Sequence, residues 1–475
     1  MFRSRPRSYS LANLPGETAL SSSPVLRRNL SSRQLQLMAL GSTIGVGLFL
    51  GSASAIELAG PSILLAYAVA GIVTFIVLRA LGEIAAHHPV SGSFAVYATT
   101  YAHPMLGFLV GWGYWAYWTI IAVAEVTAVG IYMQFWFPGS PQWQWALGAI
   151  LLMGGFNLLA ARVFGELEFW FALIKIVTIL ALIVLGTLVI LWGFPGHWTP
   201  YGLGNLVDHG GFFPNGLAGC LLAMQMVLYA YVGAEMIGLT AGEAENPEKT
   251  LPRAINSFIW RIALFYVGAI FVILAIFPWN RIAATGSPFV EVFERLGLAG
   301  AAGFVNFVVV TAALSSCNGG VYASGRMLFS LASDRQAPRR LGRISPQGVP
   351  RTAILFTVLV GTLGVAVNYW APQKAFEYLT SAVTFIGILI WLCILLTHAR
   401  FRRRLGPERV ARLGFRMVLW PWSSLAAAAF LVGVVVILMI GEETRLSSML
   451  GLLVLALIAP CYALAVRAAA RKDAA

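Results

Sequence analysis

The segment Phe169–Trp192 is long enough to cross a membrane as a helix, and its one charged side chain is Lys175. A transmembrane helix needs about 20 mostly apolar residues, and runs of this kind fill the chain. They begin near Leu37, Ser62, Met105, Gln142, Phe169, Leu217, Phe258, Gly300, Thr352, Tyr378, Trp420 and Leu446, twelve in all. Glu125 closes the third and Arg261 stands near the start of the seventh; the others are almost clear of charge. No soluble surface can be assembled from such material. Of the 475 residues, 59% are apolar and 11% charged, against about 25% charged in ordinary soluble domains. The expected fold class is an all-α integral membrane protein with 12 transmembrane helices.

Twelve spans return both ends to one side, and the basic residues say which. Arg3, Arg5, Arg7, Arg27, Arg28 and Arg33 precede the first span, and Arg79, Arg162, Lys249 and Arg253 follow on the same side. Arg335, Arg339, Arg340, Arg343 and Arg351 continue the series, and the largest cluster is Arg400, Arg402, Arg403, Arg404, Arg409, Arg412 and Arg416. The opposite side holds only Arg281, Arg295, Lys374 and Arg445. Positive residues collect on the cytoplasmic face, so the expectation is a multi-pass membrane protein with both termini cytoplasmic. The formal charge of +13 is then a topology signal. No nucleic-acid partner is expected, no obligate protein partner either, and lipid is the surroundings. Cys220, Cys317, Cys393 and Cys461 sit in apolar stretches without CxxC spacing. The histidines form no ligand constellation: His87 and His88 are adjacent, while His103, His197, His209 and His398 are scattered. Neither a metal nor a cofactor is expected, and without a catalytic domain the chain does not read as an enzyme.

A lone cation at hydrocarbon depth is costly and should face the protein interior or a wet path. Two helices carry signs of a break that would give Lys175 such company. The first span reads LQLMALGSTIGVGLFLGSASAIELAGP, with Gly41, Gly45, Gly47 and Gly51 beside Ser42 and Thr43. Glycines at this spacing serve close helix packing. They also let a helix open, exposing N–H groups at a half-helix start where a carboxylate is held. In the sixth span Gly233 is flanked by Tyr229, Ala230, Tyr231 and Glu235. Unwound carbonyls there would accept hydrogen bonds from an ammonium. Backbone unwinds at this depth only where it lines a cavity, and paired interruptions in corresponding spans of two halves point to a carrier's binding site.

With those residues located, the chain resembles the amino acid–polyamine–organocation superfamily, and within it the bacterial amino acid transporter family. The resemblance runs from about Leu26 to about Arg467. It is carried by LRRNLSSRQLQLMALGSTIGVGLF, ELAGPSILLAY, LRALGEIA, GELEFWFALIKI, AGEAENPEKTLPRAINS, GSPFVEVF and NGGVYASGRMLF. FGELEFWF, GLTAGEAENPEK and FYVGAIFVI are most similar to permeases of the proline-specific type, including those assigned to serine and threonine. The resemblance implies a five-plus-five inverted repeat with broken helices 1 and 6, and proton-coupled import of an amino acid. It implies that Ser42, Thr43, Gly45 and Gly47 bind the substrate carboxylate, and that Tyr229, Ala230, Tyr231 and Gly233 form the unwound segment and aromatic gate. Lys175 takes the place that sodium holds in sodium-coupled cousins, with Ser315 and Ser316 of the eighth span as its polar company. Many relatives read GTGLF where this chain has Gly45-Val46-Gly47-Leu48, so recognition at position 46 rests on backbone alone.

The domain plan that follows is a disordered cytoplasmic tail over 1–35, a ten-helix transport core over 36–400 and a basic cytoplasmic loop over 401–418. Spans 11 and 12 occupy 419–467, and a second cytoplasmic tail 468–475. Among the acids, Glu125 and Glu235 are candidates to share the coupling proton with Lys175, or to brace the unwound backbone. Tyr117 and Trp118 are the third-span aromatics placed to touch substrate. No further acid is evident beside the binding segments to reward a dicationic substrate, which favours a neutral amino acid such as proline, serine or threonine. An exchanger, or a carrier of cationic amino acids or polyamines on the same fold, is the competing reading.

Overall fold

The computed structural model describes residues 44–90, 92–159, 161–193, 202–239, 247–282, 287–295 and 300–473. The N-terminal tail, Ser42, Thr43 and residues 240–246 lie outside the described residues. Every regular element among those described is helical. The chain begins with α1 (Val46–Phe49) and α2 (Gly51–Ala59), turns at Gly60–Ser62, and continues as α3 (Ile63–His87), α4 (Ser93–Tyr97), α5 (Pro104–Met133), α6 (Gln142–Asn157) and α7 (Ala161–Trp192). It then passes through α8 (Gly216–Leu222), α9 (Met224–Tyr229) and α10 (Met236–Leu239) to α11 (Pro247–Arg261). A π-helical segment, Ile262–Gly268, joins α11 to α12 (Ala269–Ile276). The second half contains α13 (Pro288–Arg295), α14 (Ala301–Ser333), α15 (Arg351–Gly364), α16 (Val367–Trp370) and α17 (Ala375–Leu405). It ends with α18 (Pro407–Ala411), α19 (Trp422–Ile440) and α20 (Glu442–Asp473).

Nine helices among the described residues are long and apolar enough to cross a membrane. The protein is a multi-pass membrane bundle. Its centre is made by α5 and α14, each 83% buried over its apolar window, whereas α19 is 28% and the final span 17% buried. Composition explains the difference. α14 carries Ala312, Ala313, Ser315, Ser316, Gly319, Gly320, Ala323 and Ser324, small residues that let helices approach when lipid supplies no hydrophobic drive. A Cβ at Gly320 would stand 3.2 Å from the carbonyl oxygen of Trp118 on α5. The outer helices turn large apolar side chains to lipid instead, as at Leu188, Leu191, Leu425 and Leu457.

α17 continues through Leu405, five residues past the expected 400/401 boundary, and the basic stretch that follows contains α18. α20 likewise reaches Asp473, into the segment expected as a tail. In both places Arg, Leu and Ala are good helix formers, so the ladder runs on after the apolar run has ended.

One buried polar network ties three helices of the bundle together. The Gln142 amide of α6 donates to Asn368 Oδ1 of α16 at 2.6 Å, and Asn368 Nδ2 donates to Thr127 Oγ1 of α5 at 2.8 Å. All three side chains are buried. Asn368→Leu should leave the Gln142 amide without its partner, while Thr127 Oγ1 keeps its bond to the Val123 carbonyl, and destabilise the protein by about 1–3 kcal/mol. Thermal unfolding in detergent reads this as a lower midpoint, and an unchanged midpoint would show that the network contributes nothing.

Candidate functional site

Two non-helical stretches of the described chain, at Ile44–Gly45 and after α9, touch each other. Ile44 is non-helical, Gly45 is extended (φ −117°, ψ −163°), and α1 starts only at Val46. The second stretch follows α9. The last four-residue bond there is Ala230 N–H to Met226, and tighter turns then run through Val232 and Ala234 to Met236. Gly233 has φ +92°, a left-handed backbone that a side chain would strain. Met236 then restarts the helix. A Cβ on Gly47 would stand 2.7 Å from Ala230 Cα and 2.9 Å from Tyr229 Cδ1. The first break therefore packs backbone to backbone on the second, which only glycine permits.

Groups freed by the breaks are taken up by other helices. Lys175 Nζ of α7 donates to the Ile44 carbonyl at 3.0 Å and to Ser315 Oγ of α14 at 3.0 Å. Ser315 Oγ in turn donates to Glu168 Oε1 at 2.8 Å. Lys175, Ser315 and Glu168 are all buried. On the other side of the break, Val46 N–H donates to Glu125 Oε2 of α5 at 3.4 Å. At the second break the Ala230 carbonyl accepts from Tyr266 Oη at 3.0 Å. Tyr231 Oη donates to the Tyr67 carbonyl at 2.9 Å, and its ring packs against Tyr67 and Tyr266. Glu235 is fully buried and accepts from Trp391 Nε1 at 3.2 Å.

Between the breaks lies a small cavity lined by Gly45, Gly47, Trp118, Glu125, Tyr229 and Ser316, with Ile121, Ala230 and Val232 completing the wall. About 10 Å³ of it is open to the centre of a water molecule, room for roughly one. Trp118 Nε1, Tyr229 Oη and Ser316 Oγ are buried there without a hydrogen-bond partner among the described residues. Buried polar atoms are nearly always paired, so three orphans around one cavity mark a surface shaped for a polar guest. Among the described residues no group of three or more His, Cys, Asp and Glu is placed to hold a metal ion.

Gly45, Gly47, Tyr229, Ala230, Glu125 and Ser316 of the expected set thus meet at one cavity, with Trp118 beside them. Lys175 and Ser315 sit behind the first break, while Tyr231, Gly233 and Glu235 shape and support the second. Of the two candidate acids, Glu125 stands beside the first of these segments, since its Oε1 would be 2.8 Å from a Cβ on Gly45. Sequence reasoning left out Glu168. The available signal was its spacing: position 168 is seven residues, two helical turns, before Lys175 and on the same face of α7.

In this helical membrane bundle two non-helical segments thus meet at a buried polar cavity, an arrangement known from secondary carriers. Comparison with known proteins specifies which. Residues 34–473 match the amino acid permease family, and the chain belongs to that family. It is 51% identical over 426 residues to the uncharacterized amino acid permease YtnA of Bacillus subtilis, covering 90% of this chain and 92% of the relative. It is 45% identical over 437 residues to the probable threonine/serine transporter YbxG of the same organism, covering 92% and 94%. With the amino-acid permease AapA, also of Bacillus subtilis, it shares 45% over 422 residues, 89% and 91% of the two chains. The protein is a permease that carries out secondary active amino-acid transport, with no covalent chemistry.

Gly45→Val should push into Ser316 Oγ and Glu125, which lie 2.7 and 2.8 Å from the first added carbon. Overpacking of about 1–3 kcal/mol corresponds to roughly tenfold or more weaker amino-acid binding, measured by titration of the folded variant. Gly433→Ala is the control, because a Cβ there meets nothing within 4 Å. Unchanged affinity in Gly45→Val would reduce Gly45 to a packing residue.

Proposed function

We propose that the protein imports a small neutral amino acid together with a proton across the bacterial cytoplasmic membrane. In this reading twelve spans form a five-plus-five inverted repeat followed by two peripheral helices, with both termini cytoplasmic. The observation that carries it is the Lys175 ammonium donating to the carbonyl of Ile44, at the edge of the broken first span, and to Ser315. A proton gained or lost on that amine strengthens or weakens a charge-assisted hydrogen bond to backbone beyond which Gly45 and Gly47 line the cavity. Proton and substrate then act on the same segment from opposite sides, which is what coupling requires.

The substrate carboxylate sits against the N–H groups around Gly45 and Gly47, together with Ser42 and Thr43. Its ammonium faces carbonyls of the Ala230–Gly233 break. Trp118, Ile121, Tyr229 and Val232 surround the side chain, and Ser316 Oγ offers a hydroxyl-bearing side chain a polar contact. Threonine, serine and proline fit this description. The 45% identity to a probable threonine/serine transporter supports the same class. Glu125 shares in proton handling while it holds Val46 N–H, and Glu235 braces the second break. The carboxylate of Glu125 on the cavity wall is also what a cationic amino acid or polyamine would seek. It makes that alternative the one to test, with exchange as the alternative coupling mode.

Lys175→Ala in reconstituted vesicles should insert normally yet lose accumulation driven by an inward proton gradient, with its uptake no longer rising as the outside is acidified. Accumulation with wild-type pH dependence would remove Lys175 from the coupling. Uptake that ignores gradient collapse but needs internal amino acid would mean exchange.

A competition panel of the twenty amino acids plus putrescine addresses the substrate. Serine, threonine, proline or alanine should compete, and amino acid methyl esters should compete poorly because their carboxylate is masked. Strong competition by arginine or putrescine with none by the neutral set would assign Glu125 to a cationic substrate.

A further inference from the structure

We propose that the cleft formed by the end of α17, α18 and the chain leading into α19 binds the headgroup phosphate of an anionic glycerophospholipid. The cleft measures about 790 Å³. Three of the described residues lining it are arginines, Arg402, Arg403 and Arg416, and none is acidic. Its other walls are apolar, with Val410, Leu419 and Trp420 among them. Cationic and apolar surfaces side by side match a lipid, whose phosphate and glycerol are covalently joined to acyl chains. A free phosphate would satisfy the guanidinium groups and leave the apolar wall wet.

Position argues the same way. α17 ends at Leu405 and α19 begins at Trp422, both of them membrane-crossing helices, so the cleft opens at the boundary between hydrocarbon and water. Leu419 is 77% and Trp422 74% exposed, as expected of side chains that meet acyl chain and headgroup. Basic pockets between spanning helices at this level are where anionic headgroups bind.

The walls are held in place from inside the bundle. Glu83 of α3 is buried and accepts from Arg402 Nε and Nη2, each at 2.7 Å, and from the Met417 N–H at 2.5 Å. His398 Nε2 lies 3.2 Å from the same carboxylate. One turn earlier on α3, Arg79 donates to the Arg416 carbonyl and covers the Phe415 ring at 4.1 Å. Trp420 packs on Arg402 at 5.0 Å and on His398 at 5.1 Å. Arg402 is committed to Glu83. Arg403 and Arg416 are exposed, Arg416 making a long 3.4 Å bond to the Ala411 carbonyl, and these two are the phosphate ligands. A lipid held here would tie α19 and α20, the least buried spans, to the α3–α17 core.

The test is lipid retention by purified protein, read by native mass spectrometry after exchange into micelles doped with equal phosphatidylglycerol and phosphatidylcholine. Wild type should retain phosphatidylglycerol in preference to phosphatidylcholine. Arg403→Gln and Arg416→Gln should each weaken retention about fivefold, the equivalent of about 1 kcal/mol per basic residue near an anionic surface, and the effects should add in the double variant. Arg339→Gln/Arg340→Gln, distant in sequence, should retain the lipid normally. Equal retention of the two lipids by wild type, which needs no variant to fold, would overturn the proposal. So would an undiminished phosphatidylglycerol adduct in the double variant, or displacement of the lipid by millimolar inorganic phosphate.

Discussion

A buried backbone carbonyl outside the helical ladder has to find its donor inside the protein, and at Ile44 that donor is the ammonium of Lys175. The rest of the centre follows from this requirement. Val46 N–H, on the other side of Gly45, is met by Glu125. The Ala230 carbonyl of the second break is met by Tyr266, and Tyr231 anchors the same segment to the Tyr67 carbonyl. Four helices, α3, α5, α7 and the π-helical segment before α12, are thus committed to completing what the breaks leave open. Their small-residue packing brings them close enough to do it.

The same bonds explain why charged residues survive in the bundle. Desolvating an ammonium or a carboxylate is costly unless each is paired and hydrogen-bonded. Lys175 is connected through Ser315 Oγ to Glu168. Removing one member takes a partner from its neighbour, and breaking a buried charged pair costs about 3–5 kcal/mol. Support for the non-helical backbone at Ile44 and the pairing of the buried charges therefore reside in the same few side chains.

Much of this was legible in the sequence because membrane depth writes in a small alphabet. Lys175 stood out against its uncharged run, Gly45 and Gly47 against the helix they interrupt, and Gly233 beside Tyr229 marked the second break. What was not legible depended on distance in space. Glu168 lies at the edge of its span, where an acid reads as an ordinary helix-end charge until Ser315 is seen to bond it. Glu125 closes an apolar run, and nothing in its neighbours tells that α5 turns it toward Gly45 rather than away from the breaks. Tyr266 as donor to the Ala230 carbonyl and the Tyr67 carbonyl as acceptor for Tyr231 have no local signal. Hydropathy stops near 400, while helix propensity carries the ladder of α17 on through Leu405.

To admit an amino acid, a cavity with about 10 Å³ open to water must lose part of its wall, and the two kinds of wall differ in what holds them. The α5–α14 face is 83% buried in both helices and packs Gly320 against Trp118 with almost no free space. Displacing it would expose apolar surface along its whole length. The broken segments are held by single hydrogen bonds at Ile44, Val46 and Ala230. Neutral bonds contribute about 0.5–1.5 kcal/mol net and those to charged groups about 1.5–3, within what a bound zwitterion or a transferred proton can offset. Motion is therefore easier for the segments around Gly45–Gly47 and Tyr229–Gly233 than for the scaffold behind them. Because Gly47 rests on Ala230 Cα, neither segment can shift far without the other.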